Sequence, residues 1–158
     1  MQELHVNGTP TNCILNQGDV ISLDCLGDQR TEFRWLDGFT VNGDVSLLRD
    51  PSSTGTKWRV WSHPGSCSIS LESLGHIPGK KWLHGNAQDG TVRLEATSAN
   101  HPDTKWSVVL TDGRYSFFSQ SSVAGDKRWL DGVTISGKVV LQPAIQGYSG
   151  TQWNVVFR

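Results

Sequence analysis

The sequence predicts an all-β fold of twelve strands in three pseudo-threefold repeats, with negligible helix. Three observations predict it. Trp35-Leu36-Asp37-Gly38, Trp82-Leu83-His84-Gly85 and Trp129-Leu130-Asp131-Gly132 begin at residues 35, 82 and 129, a constant 47 apart, and Gly43, Gly90 and Gly137, then Val45, Val92 and Val139, then Leu47, Leu94 and Leu141 keep the same offset. A second tryptophan closes each copy, in Thr56-Lys57-Trp58, Thr104-Lys105-Trp106 and Thr151-Gln152-Trp153. No window carries the 3.6-residue apolar period of an amphipathic helix. Self-similarity at a fixed period marks one supersecondary unit copied to bury a shared core.

Each copy divides into four strand-like pieces. The first is an alternating run: Val20 to Leu26, Cys67 to Leu71 and Tyr115 to Ser119. The Trp-Leu segment is the second. A turn signal follows at Asn42-Gly43, Asp89-Gly90 and Ser136-Gly137, and the first two pairs suit a two-residue type I′ hairpin, in which both central residues take positive φ. The third strand is Asp44 to Leu47, Thr91 to Leu94 and Lys138 to Leu141, with Val and Leu two apart and so on one face. A loop rich in Pro, Ser, Thr, Gly and Asn leads to the fourth strand, where Trp58 and Val60, Trp106 and Val108, and Trp153 and Val155 share a face. The repeats span about residues 14–60, 61–109 and 110–158 of a single domain, 1–158.

A hairpin unit standing alone would leave an unpaired edge and an uncovered apolar face; closing three units into a barrel capped by hairpins removes both. This layout resembles a β-trefoil. The Leu-Asp step of the second strand and the polar-x-Trp of the fourth resemble the ricin-B-type lectin repeat over about residues 20–158, with Thr-x-Trp in place of the family's Gln-x-Trp and no counterpart of its cysteines within each repeat. The resemblance implies carbohydrate binding, in which the Asp of the Leu-Asp step accepts hydrogen bonds from two sugar hydroxyls, a task for a carboxylate that has two acceptor oxygens and no donor. Those residues are Asp37 and Asp131, flanked by Gly38 and Gly132, with Asn42 at the hairpin turn and His84 standing where the second copy would carry Asp.

The same residues have a structural reading, because Asp before Gly also shapes turns by bonding nearby backbone N–H groups. Where the family carries an aromatic platform, this chain aligns Leu48, Glu95 and Gln142. Six of the seven tryptophans recur by repeat and are expected in the core or at its rim; Trp61 is the exception. The period of two sends it to the face opposite Trp58, as a sugar or protein contact or packed beneath a loop. Tyr115 and Tyr148 are open in the same way.

Other chemistry leaves little trace. Gly147-Tyr148-Ser149-Gly150 lacks the strand-to-helix setting of a nucleophile elbow. His5, His63, His76, His84 and His101 lack the i, i+4 spacing of a zinc site, so neither enzyme, metal nor cofactor is expected. The basic residues before the hairpin tryptophans (Arg34, Lys80-Lys81, Lys127-Arg128) suit anionic ligands or solvation of a strand end. With 14 Lys plus Arg against 15 Asp plus Glu, net charge −1, and no long block of one sign, nothing draws the chain to nucleic acid. No apolar run is long enough to insert into a membrane, and residues 1–8 carry no export signal, which implies a cytoplasmic or unconventionally released protein.

Cys13, Cys25 and Cys67 are odd in number and occupy no equivalent positions; reduced thiols are expected ahead of a bridge such as Cys13 to Cys25. The implied partners are glycans or glycoconjugates, with homo-oligomerisation left open. The alternative is a protein-binding β-trefoil, either a protease inhibitor or a cytoskeletal scaffold module, for which the irregular segments 61–65 and 76–79 are the candidate loops.

Overall fold

The computed structural model describes residues 5–6, 9–10, 13–27, 33–75 and 79–158. The irregular segment at 76–78, with His76, lies outside the described residues. A two-residue ladder pairs β1 (His5–Val6) with β2 (Thr9–Pro10). The remaining strands join one twelve-stranded sheet: β3 (Val20–Cys25), β4 (Trp35–Phe39), β5 (Asp44–Leu48), β6 (Trp58–Ser62), β7 (Ile69–Ser73), β8 (Trp82–Gly85), β9 (Val92–Glu95), β10 (Trp106–Thr111), β11 (Arg114–Ser119), β12 (Trp129–Val133), β13 (Lys138–Gln142) and β14 (Trp153–Phe157). Helical structure among the described residues is limited to three 3₁₀ turns, η1 (Thr54–Thr56), η2 (Pro102–Thr104) and η3 (Ser149–Thr151), each just ahead of a fourth strand.

The pairings close a ring of six strands, β3-β6-β7-β10-β11-β14 and back to β3. Its ladders alternate in length. Within a unit, first and fourth strands touch at only one or two residue pairs, as at Ile69↔Trp106 and Tyr115↔Trp153. Between units they run for five or six pairs, in β6–β7, β10–β11 and β14–β3. A single unit cut from the chain would therefore lose most of its ladder hydrogen bonds. The hairpins β4–β5, β8–β9 and β12–β13 attach to the ring at Trp35, Trp82 and Trp129 and meet one another at Lys138↔Ser46 and Thr91↔Val140.

The core repeats with the sequence. Trp58, Trp106 and Trp153 are fully buried, and their indole Nε1 atoms donate to the carbonyls of Leu36, Leu83 and Leu130 at 3.0, 3.1 and 3.1 Å. Each fourth strand is thus pinned to the hairpin of its own unit. The Thr of each Thr-x-Trp is buried too, and its hydroxyl ties the 3₁₀ turn by donating to the carbonyl three residues back, Ser53, His101 or Tyr148.

Two expectations are corrected. The hairpin connections are four-residue loops, not two-residue type I′ turns: Gly43, Gly90 and Gly137 alone take positive φ, and each donates its N–H to the carbonyl four residues back. The residue before the glycine uses its side chain instead, Asn42 Oδ1 accepting from Asp44 N–H at 2.9 Å. The two-residue turn with both φ positive forms at Asp112-Gly113, between β10 and β11. The second correction concerns sulfur. Cys13 and Cys67 form a disulfide with their Cα atoms 5.4 Å apart, and only Cys25 is free. The ring brings the first unit's leading segment beside the start of β7, a proximity that cysteine spacing along the chain does not encode.

Candidate functional site

In the third unit, β12 carries Asp131 to the foot of a depression of about 290 Å³, whose lining includes Gly27, Thr134, Tyr148, Ser149 and Gly150. Asp131 is only 5% exposed. Burial pushes its carboxyl up from the ordinary value, and Gln142 Nε2, donating to Oδ2 at 3.2 Å, partly opposes that. The turn η3 closes the other side: a Cβ on Gly150 would collide with the Gly132 carbonyl and stand 2.6 Å from Asp131 Oδ1, so this wall admits only glycine. Beneath, the Cys25 thiol reaches the carbonyls of Gly132 and Gly150 at 3.4 and 3.5 Å. Tyr148 stands 37% exposed at the rim and separates the depression from a second, about 370 Å³, lined by Ile145, Gln146 and Gln152.

The first unit repeats the carboxylate and the glycine without the ring. Asp37 on β4 is buried, and a Cβ on Gly55 of η1 would strike it. Burial raises its carboxyl, and Leu48, at the position of Gln142, offers no amide to oppose that. Ser53 sits where the third unit has Tyr148, three residues ahead of the turn threonine. Gly38 and Gly132 lie under indoles: an added Cβ would come within 2.8 Å of Trp58 and 3.1 Å of Trp153. Asn42 is occupied by its turn, with Nδ2 on Asp44 Oδ2 at 3.0 Å.

The second unit exchanges the two sides of the pocket. His84 stands at the Asp position of β8, while Asp103 of η2 replaces the glycine, and His101 holds the place of Tyr148. His84 Nε2 lies 3.3 Å from Asp103 Oδ2, and His101 Nδ1 accepts the Asp103 N–H at 3.1 Å. Burial lowers His84 below the usual imidazole range despite Asp103 and Glu95. Burial acts to raise Asp103, but the Ser122 N–H and hydroxyl at 2.6 and 3.0 Å, with both histidines, hold it low.

Trp61 lies elsewhere, 38% exposed, in a cleft of about 480 Å³ with Trp82, His63 and the 96–100 loop. Its Nε1 donates to Glu72 Oε1 at 2.9 Å, and its ring meets Trp82 edge-on at 5.7 Å. The basic residues before the hairpin tryptophans act as tethers. Arg34 binds Asp24 in two places and Lys81 binds Glu72 at 3.0 Å; Arg128 bonds the Ser119 and Ser121 carbonyls. Asp103 escaped the sequence reading, which left Tyr148 open between contact and packing and set His101 aside as a metal ligand, although all three sit at fixed offsets from Thr-x-Trp.

Among the solved structures similar to this chain in fold are two of note. One is the GlcNAcα1-4Gal releasing endo-β-galactosidase from Clostridium perfringens, similar over 89% of this chain and 32% of that one, with 15% identity and a TM-score of 0.68. The chain thus matches about a third of that enzyme. The other is ThreeFoil, a designed 3-fold symmetric protein, with 22% identity, 87% and 97% coverage and a TM-score of 0.66. Both likenesses establish an all-β fold like that of a threefold-symmetric protein. No family model matches the sequence, and no curated protein matches it. No helix among the described residues is long and apolar enough to cross a membrane.

Proposed function

We propose that the chain is a β-trefoil of the ricin-B-like kind that binds glycans without chemical change to them. One observation carries the reading: Asp131 and Tyr148 share a shallow, solvent-open depression in the third unit. A carboxylate there accepts from sugar hydroxyls, and an aromatic face covers C–H surface. Tyr148 thus supplies the ring absent from the positions of Leu48, Glu95 and Gln142. The third unit is the principal site, and the first, with Asp37 but no ring, is an auxiliary one. Two linked weak sites raise avidity when a branched ligand spans both. A similar fold within part of an endo-β-galactosidase agrees with a carbohydrate-linked role. The Cys13–Cys67 bond favours residence in an oxidising compartment.

A glycan array probed with wild type, Asp131→Asn and Tyr148→Ala tests this. Loss of one charge-assisted acceptor is expected to weaken the best signals about 10-fold or more, and Asp37→Asn is expected to lower them less. An unchanged binding profile in Asp131→Asn and Tyr148→Ala would put the site elsewhere. A blank array with wild type would turn attention to protein contact, which the exposed residues at the hairpin ends, Phe39, Val41 and Ile135, favour.

A further inference from the structure

Three of the positions that line the third unit's pocket, Asp131, Tyr148 and Gly150, correspond in the second unit to His84, His101 and Asp103. We propose that this trio binds one divalent transition-metal ion of the zinc class. One ligand atom from each residue lies within 4.8 Å of the other two. In a tetrahedral site with bonds of about 2.0–2.1 Å, neighbouring ligand atoms stand about 3.3 Å apart. His84 Nε2 and Asp103 Oδ2 already stand 3.3 Å apart. His101 Nδ1, 3.9 Å from the same oxygen, must close by about 0.6 Å to reach that spacing. It is the adjustable ligand, on a ring whose side chain is 42% exposed, and a cation would draw its Nδ1 away from the Asp103 N–H.

The surroundings fit such an ion. Ser122 holds Asp103 Oδ1 through both its N–H and its hydroxyl, leaving Oδ2 to ligate, the division of labour that orients carboxylate ligands. Arg93, the cross-strand neighbour of His84, is paired with Glu95, so its charge is partly answered before a cation arrives. Two imidazoles and one carboxylate select zinc, nickel or copper over calcium and magnesium, and three protein ligands leave a coordination position open to solvent. The corresponding trios elsewhere, Asp37 with Ser53 and Gly55 and Asp131 with Tyr148 and Gly150, contain no imidazole. Among the described residues this is the one such group, so one ion per chain is expected. The inference is independent of whether the other units bind glycans.

Zn²⁺ titrated into the whole protein against a chromophoric chelator is expected to show one equivalent. Its affinity should fall at least about 100-fold in His84→Ala and in Asp103→Asn, and about 10-fold in Ser122→Ala. His101→Ala alters an exposed side chain and should weaken binding even if the buried variants fail to fold. In the wild type, Zn²⁺ should shift the imidazole NMR signals of His84 and His101 before those of His5, His63 or His76. One equivalent that survives His84→Ala and His101→Ala, first shifts at the other histidines, or no binding of Zn²⁺ alone would overturn the proposal.

Discussion

At the scale of single residues, burial gives Asp131 opposite effects on binding and on stability. Its carboxyl lies above the ordinary 3.8 because burial disfavours the charged form. A folded-state value above the unfolded one means that the contribution to stability is complete below the unfolded value and is lost as pH rises through the folded one. At neutral pH the charged Asp131 is therefore a cost, and the stability gap between Asp131→Asn and wild type should narrow as pH falls through the raised value. Glycan binding should weaken over the same interval, because the protonated acid surrenders an acceptor. Calorimetric titrations and denaturant melts between pH 7 and about 4 measure both trends; parallel changes would contradict the assignment. Cys25 offers the alkaline counterpart. Burial first, with Asp131 and Asp24 adding to it, raises its thiol from 9.0 to about 12, so its contribution is complete below 9.0 and is lost between 9.0 and about 12. Its counterparts in the other units are Ser73 and Ser119. Cys25→Ser should therefore fold and should flatten the alkaline limb of the stability profile.

Among elements, the disulfide and the loops show where sequence patterns stop being informative. The strand that follows each hairpin tryptophan, β5, β9 or β13, keeps the alternation of Val and Leu closely, because period two has one solution when one face is buried. Asn42-Gly43 and Asp112-Gly113 are both good type I′ sequences, yet only the second forms that turn. The first sits where packing of the hairpin against the neighbouring unit (Gly43 O accepts from Leu94 N–H at 2.8 Å) favours a longer loop. Cysteine pairing is equally silent in the sequence, since it depends on which segments the ring brings together. The bond joins residues 54 apart in sequence, and the chain-entropy relation assigns a loop of that length about 4 kcal/mol. The double variant Cys13→Ser/Cys67→Ser should lose that amount in denaturant unfolding, with a fall in Tm on the order of 10 °C. A loss near zero would mean that the N-terminal segment is held as well without the bond.

For the whole molecule, the threefold pattern was legible because core positions cannot diverge independently: Leu36, Leu83 and Leu130 and the three fourth-strand tryptophans face one shared interior. Asp37 and Asp131 recur at matching repeat positions, and both are buried beside that core. The divergent residues could be named one by one, as His84 and Tyr148 were, but their convergence could not be read. His84, His101 and Asp103 are scattered in sequence and converge only when β8 and η2 fold against each other, and Tyr148 sits in a loop whose counterparts are Ser53 and His101. This contrast yields a test of the ring itself. Trp58→Phe, Trp106→Phe and Trp153→Phe each keep an aromatic ring but remove an indole N–H, stranding the buried carbonyl of Leu36, Leu83 or Leu130. An unsatisfied buried acceptor costs about 1–3 kcal/mol, with a further loss for the smaller ring. Equivalent surroundings require the three penalties to agree within about 0.5 kcal/mol, the margin to which independent sites usually add. Because each long ladder joins one unit to the next, unfolding should also stay two-state in all three variants. A penalty confined to one variant, or an intermediate in which one unit melts alone, would show that the three units do not form a single closed cooperative structure.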